Sequence, residues 1–165
     1  MPLGAMTVVA LSAWLGAAIL VAAVVAPAAF AVLPSRTLAG ALVGRVLPVL
    51  FYGGAVVGLL VAVLARDTTP SAARAVAGAA MTAACLAAQL LVAPRIERIR
   101  LDAGRPIDEL AAEDPRRAAF GRLHGVSVLL LGAAALAGGA ALVLTLRTMS
   151  LATTDHDLSN TSLEH

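Results

Sequence analysis

Four stretches of this chain, Met6–Leu33, Val46–Ala65, Ala75–Ala93 and Gly125–Leu146, contain no Asp, Glu, Arg or Lys. Each supplies the roughly 20 residues that a helix needs to cross a hydrocarbon core of about 30 Å. Lipid offers no partner to a backbone N–H or C=O, so runs of this length and polarity must close their own hydrogen bonds as helices. The composition agrees: 60% of the residues are hydrophobic and 13% charged, with a mean hydropathy of +0.91. A soluble domain of that make-up would expose large apolar patches. The expected fold is therefore all-α, an integral membrane four-helix bundle with short loops and helix extensions on the cytoplasmic side.

Punctuation sets the boundaries. Ser35 is placed to cap a helix beginning at Arg36, Thr69-Pro70 and Asp114-Pro115 each offer a cap followed by a first-turn proline, and Gly104 is placed to stop the third helix. One domain over residues 1–150 follows, with helices at about 6–33, 36–66, 70–103 and 115–148. Residues 151–165 are expected to have no fold, and Leu163-Glu164-His165 reads as vector-derived. No basic residue precedes the first run, which continues to Leu33, past the usual length of a signal core, so it reads as an uncleaved helix.

The caps lie outside the apolar runs. Helices two, three and four should therefore extend past the bilayer on one side as a collar carrying Arg36–Arg45, Arg95–Arg100 and Arg116–His124. A short surface helix is expected from Pro106 to Glu113. Nine arginines fall on the collar side and three, Arg66, Arg74 and Arg147, on the other. The excess of positive charge on cytoplasmic loops then puts both termini outside, in a bacterial inner (plasma) membrane. Trp14 is expected at the outer interface. Small residues recur at one-turn spacing in Gly40-x-x-x-Gly44, Gly54-x-x-x-Gly58, Gly78-x-x-x-Thr82 and Ala134-x-x-x-Gly138, a pattern that lets helix backbones approach.

Several chemistries have no support in the residues. The twelve basic residues are all Arg and scattered over helix ends, so no nucleic-acid surface is read. Cys85 is the single cysteine, which excludes an intramolecular disulfide. No catalytic motif, catalytic residue, metal site or cofactor is expected.

The polar residues inside the apolar runs can be placed by depth. At about 1.5 Å per residue, Tyr52 lies about 10 Å in from Arg45, Gln89 about 9 Å from Arg95 and Ser127 about 7 Å from Arg122, with His124 just above and Phe30 and Pro27 at a similar height. His124, Gln89, Tyr52, Ser127 and Phe30 are the candidate ligand-binding residues. An amide or imidazole in hydrocarbon needs a partner or water, and such residues line sites. The plainer reading is that they are structural glue, hydrogen-bonded between neighbouring helices. Pro27 and Pro94 would kink their helices near this level, freeing carbonyls or merely shaping the bundle, and Pro48 either kinks helix two or marks its interfacial start.

The residues also carry a resemblance. Leu15-Gly16, Val25-Ala26-Pro27, Phe30, Leu33, Ala39-Gly40, Gly44-Arg45-Val46-Leu47-Pro48 and Tyr52, followed by Pro94-Arg95-Ile96, Arg100 and Phe120-x-x-Leu-His124-x-x-Ser127, look like the transmembrane protein 205-like family over residues ~10–146. That family implies a small four-helix membrane protein without an established activity. The chain departs from it at Val128–Leu131, where a typical member carries an Asn. Leu123-His124 also resembles the anthrone-oxygenase-like membrane enzymes, although Pro94 is followed by Arg95-Ile96-Glu97 in place of their Asn.

Function is thus expected to be unassigned binding or movement of a small ligand through an inward-facing pocket. The alternatives are an oxygenase or redox enzyme using His124 with Tyr52, and a non-catalytic scaffold subunit. Expected partners are membrane lipids and a small-molecule ligand. Four helices are few for an autonomous transporter, which leaves room for a homo-oligomer.

Overall fold

The structure, a computed structural model, describes residues 3–65 and 72–161. Among them four helices are long and apolar enough to cross a membrane: α1 (Leu3–Val32), α2 (Arg36–Leu64), α3 (Ala72–Ala103) and, over Pro115–Ser150, α4. The chain is an all-α helical bundle and an integral membrane protein. The Arg66–Pro70 turn and its Thr69-Pro70 cap fall outside the described residues.

The caps act as their residue types dictate. Ser35 Oγ accepts the Leu38 N–H at 3.2 Å and opens α2. Gly104 ends α3 in the left-handed conformation (φ 62°), which its missing Cβ permits. Asp114 accepts the Arg116 N–H at 2.9 Å at the start of α4. In backbone α4 runs on to Thr161, beyond the expected end near 148, since no Gly or Pro interrupts residues 140–161. The short helix expected over Pro106–Glu113 is instead one 3-10 turn, Ile107–Glu109, followed by the buried Leu110. Eight residues between breakers are too few to hold a helix against the cost of nucleating it.

At both prolines expected to kink their helices, the helix changes its hydrogen-bond pattern. α1 widens into a π turn at Val21–Val25 just before Pro27, and α3 does so at Ala87–Val92 just before Pro94. The Ala26 N–H reaches back to the Val21 carbonyl, and the Ala93 N–H to that of Ala88, five residues away in each case. A proline cannot donate to the carbonyl four residues behind it, and an extra residue in the turn relieves the clash of its ring. Pro48, by contrast, lies inside a continuous α2.

The core is pinned where small residues meet. α2 and α3 form the most extensive helix contact, followed by α3 with α4 and α1 with α4. A Cβ added at Gly78 would stand 2.6 Å from the Gly58 carbonyl oxygen and 2.7 Å from the Ala62 nitrogen, so the two backbones touch. Thr82 Oγ1 donates there to the carbonyls of Gly78 (3.0 Å) and Ala55 (3.2 Å). Trp14 is a core residue and not the interfacial anchor expected. It is 5% exposed, and its indole Nε1 donates to the Leu50 carbonyl at 2.8 Å. Its ring fills the notch at Gly54, where a Cβ would come within 2.7 Å of the indole, and reaches Gly138 on α4. A buried indole N–H needs an acceptor, and the two glycines make room for the ring beside one.

Candidate functional site

Away from this pinned region, towards the arginine-rich end, α2, α3 and α4 enclose a cavity of about 870 Å³. Its walls are helical stripes. Gly40, Gly44, Leu47 and Phe51 come from α2, Gln89, Ala93, Ile96 and Arg100 from α3, and Arg117, Phe120, His124 and Ser127 from α4. The spacing of three or four residues keeps each stripe on one face. The widened turn of α3, Ala87–Val92, contains Gln89. A smaller groove of about 220 Å³ between α1 and α4, lined by Ala18, Ile19, Val128 and Gly132 among others, presents no polar side chain.

Four of the five residues singled out by depth line the cavity: His124, Gln89, Ser127 and Phe30. Tyr52 does not. It is 48% exposed on the outer face of α2, although its neighbour Phe51 is buried and lines the cavity. His124 and Tyr52 are therefore not brought together. The His124 ring instead stacks on Phe120, with centroids 6.3 Å apart and planes within 4°. Among the described residues, the side chains of Gln89, Ser127 and His124 make no hydrogen bond within the chain. No buried side-chain nitrogen or oxygen there lacks a partner, so these three are accessible groups and not orphaned core atoms.

The arginines at the cavity mouth were read from the sequence only as collar residues. Arg36, Arg100, Arg105 and Arg117 all line the cavity, beside the acids Glu97 and Asp108. Arg100 is the most enclosed by its surroundings. Its guanidinium lies 5.5 Å from the Phe120 ring centre, and Cβ atoms built at Gly40 and Gly44 would meet its Nη2 and Nη1 at 3.5 and 3.8 Å. The Gly40-x-x-x-Gly44 pair thus faces a guanidinium and not a neighbouring helix. The signal was present in the Arg117-Phe120-His124 stripe, but only the packing of α3 beside α4 brings Arg100 to it.

The third loop covers this end. Arg116 grips the Asp114 carboxylate with Nε at 3.0 Å and Nη2 at 2.7 Å, while its Nη1 donates to the Asp102 carbonyl at 3.0 Å. Arg117 Nη1 donates to the Leu110 carbonyl at 3.2 Å. The loop is thereby tied at both ends, which holds Arg105, Pro106, Ile107 and Asp108 over the cavity. The hydrogen bonds from the Arg116 side chain and backbone push the Asp114 carboxyl down to about 2 from an ordinary 3.8.

No group of three or more His, Cys, Asp or Glu gathers among the described residues. The chemistry on offer is hydrogen bonding, cationic charge and apolar contact. No curated protein and no solved structure matches the chain. The family described as Domain of unknown function (DUF4149) matches residues 9–105, which take in most of α1, all of α2 and α3, and the cavity residues Gln89, Arg100 and Arg105, but stop short of Phe120, His124 and Ser127 on α4. Since the match covers more than half of the sequence, the chain belongs to that family, an uncharacterised one.

Proposed function

We propose that this protein holds a small ligand in the cavity at its arginine-rich end. The observation that carries the reading is that Gln89, Ser127 and His124, from two helices, line one cavity with no side-chain hydrogen bond inside the chain among the described residues. Polar groups left accessible on a cavity wall are open to a ligand's hydrogen bonds. Helix-to-helix glue would have shown those bonds closed, as Thr82 and Trp14 close theirs. The cavity volume of about 870 Å³ is also that of a small-molecule site.

The distribution of arginines favours a cytoplasmic position for this end, with both termini outside, in a bacterial inner membrane. The reading extends to movement of the ligand through this inward-facing opening, within a transmembrane protein 205-like protein surrounded by membrane lipids and assembled as a homo-oligomer. Native mass spectrometry of protein released gently from detergent tests it. One stoichiometric bound species is expected on the wild type and absent from Gly121→Trp, since Gly121 lines the cavity and a Cβ there meets nothing within 4 Å. Identical bound species on both proteins would refute the reading.

A further inference from the structure

We propose that the cavity selects an anionic amphiphile, with one carboxylate or phosphate-ester head on an apolar body, and that Arg100 takes the head. The proposal rests on the reading of the cavity as a ligand site and adds the chemistry of its occupant.

Charge comes first. The lining carries four arginines against two acids, an excess that repels cations and attracts anions. Arg36 has neither a hydrogen bond nor an ion pair among the described residues. Arg117 spends one N–H on the Leu110 carbonyl, which leaves its charge unpaired. Arg100 forms a loose ion pair with Glu97 at 3.8 Å, too long for a hydrogen bond, on a side chain that is 60% exposed and screened by solvent.

Presentation is the second argument. Arg100 makes no hydrogen bond among the described residues, yet its side chain is not loose. The guanidinium lies over the Phe120 ring and its Nη atoms face α2 at Gly40 and Gly44, where an added Cβ would meet them only in ordinary contact. A planar fork of N–H donors, held over an aromatic ring beside α2, suits the two oxygens of a carboxylate or phosphate. Phe120 holds it without competing for those donors.

The body of the ligand follows from the rest of the wall. Phe30, Leu47, Phe51, Ala88 and Ile96 line the cavity, so the occupant needs apolar surface as well as a charge. The arginines stand at the end of the bundle, where head groups lie, and the apolar lining runs inward from them. An amphiphile seated this way keeps the orientation that it has in a leaflet. The same chemistry is carried by an anionic membrane lipid and by a soluble amphiphile.

The test is calorimetric titration of the full chain in dodecyl maltoside micelles with dodecyl phosphate, and separately with dodecyltrimethylammonium. Dodecyl phosphate is expected to bind one to one and the cation not to compete. Arg100→Gln should weaken binding at least about tenfold, the worth of one charge-assisted contact. Arg100→Lys should recover part of it, and Arg147→Gln, which lies outside the cavity lining, should leave it unchanged. If Arg100→Gln does not fold, the selectivity of the wild type decides alone. Equal binding of cation and anion, both lost in Gly121→Trp, overturns this proposal and leaves the ligand-site reading standing. No saturable binding of either, with Gly121→Trp and wild type carrying identical bound species in the mass spectrometer, overturns both. Repeating the titration in phosphatidylcholine nanodiscs with and without phosphatidic acid separates the sources, since affinity for dodecyl phosphate falls with phosphatidic acid only if the bilayer itself supplies the ligand.

Discussion

Gly78→Ala adds a single methyl group, and the α2–α3 contact sets its effect. The new Cβ would lie 2.6 Å from the Gly58 carbonyl oxygen, 0.8 Å short of the 3.4 Å at which ordinary contact begins, and 2.7 Å from the Ala62 nitrogen. Both atoms are backbone, so no side chain can swing away and the helices have to separate. Overpacking of this kind costs about 1–3 kcal/mol. Helix propensity works the other way, favouring Ala over Gly by up to about 1 kcal/mol. The net expectation is a loss of about 1–2 kcal/mol. Gly139→Ala is the control, because a Cβ there meets nothing within 4 Å and only the propensity gain remains. Unfolding both variants by titrating sodium dodecyl sulfate into dodecyl maltoside micelles, followed by circular dichroism and by fluorescence of the sole tryptophan, Trp14, should move the two midpoints in opposite directions. If Gly78→Ala is as stable as Gly139→Ala, the backbone contact at Gly58 does not hold the bundle together and the reasoning fails.

Other changes separate roles in the same assays. Trp14→Phe removes the 2.8 Å bond to the Leu50 carbonyl and part of a buried ring, and should cost about 1–3 kcal/mol by circular dichroism. Asp114 titrates at about 2 in the folded chain against an ordinary 3.8, so its stabilising contribution is whole above about pH 4 and is lost as the pH falls towards 2. Asp114→Asn should accordingly be less stable than the wild type at neutral pH and converge with it near pH 2. Tyr52→Phe, on the exposed face of α2, should leave both stability and dodecyl phosphate binding unchanged, whereas Gln89→Leu and His124→Ala keep the fold and alter the bound species.

What could be read from the sequence, and what could not, divides along the helix axis. Depth is a matter of counting residues at a fixed rise, and that placed Gln89, Ser127, His124 and Phe30 around one cavity. Azimuth is different. Tyr52 was given the right height and the wrong side, since one residue turns the side chain by about 100° and Phe51 took the inward position. The π turns before Pro27 and Pro94 each insert a residue, so facing cannot be carried through them by simple periodicity. Trp14 failed for a related reason. A general preference of indoles for interfaces placed it outside, but the notch at Gly54 beside Gly138 exists only once three helices have packed. The four spans were legible because absence of charge over about twenty residues leaves the backbone no other fold in lipid.

The two prolines and their widened turns give the bundle an uneven stiffness. Near Gly58 and Gly78 the helices press backbone on backbone, and little can yield. At the other end α1 and α3 each carry a joint, at Val21–Val25 and Ala87–Val92, where the regular ladder of hydrogen bonds is interrupted. The segments beyond the joints, Ala26–Val32 and Ala93–Ala103, include Phe30 and Arg100 of the cavity wall. The direction of these two cavity-wall segments is therefore set at the widened turns, apart from the contact that locks the bundle at Gly58 and Gly78.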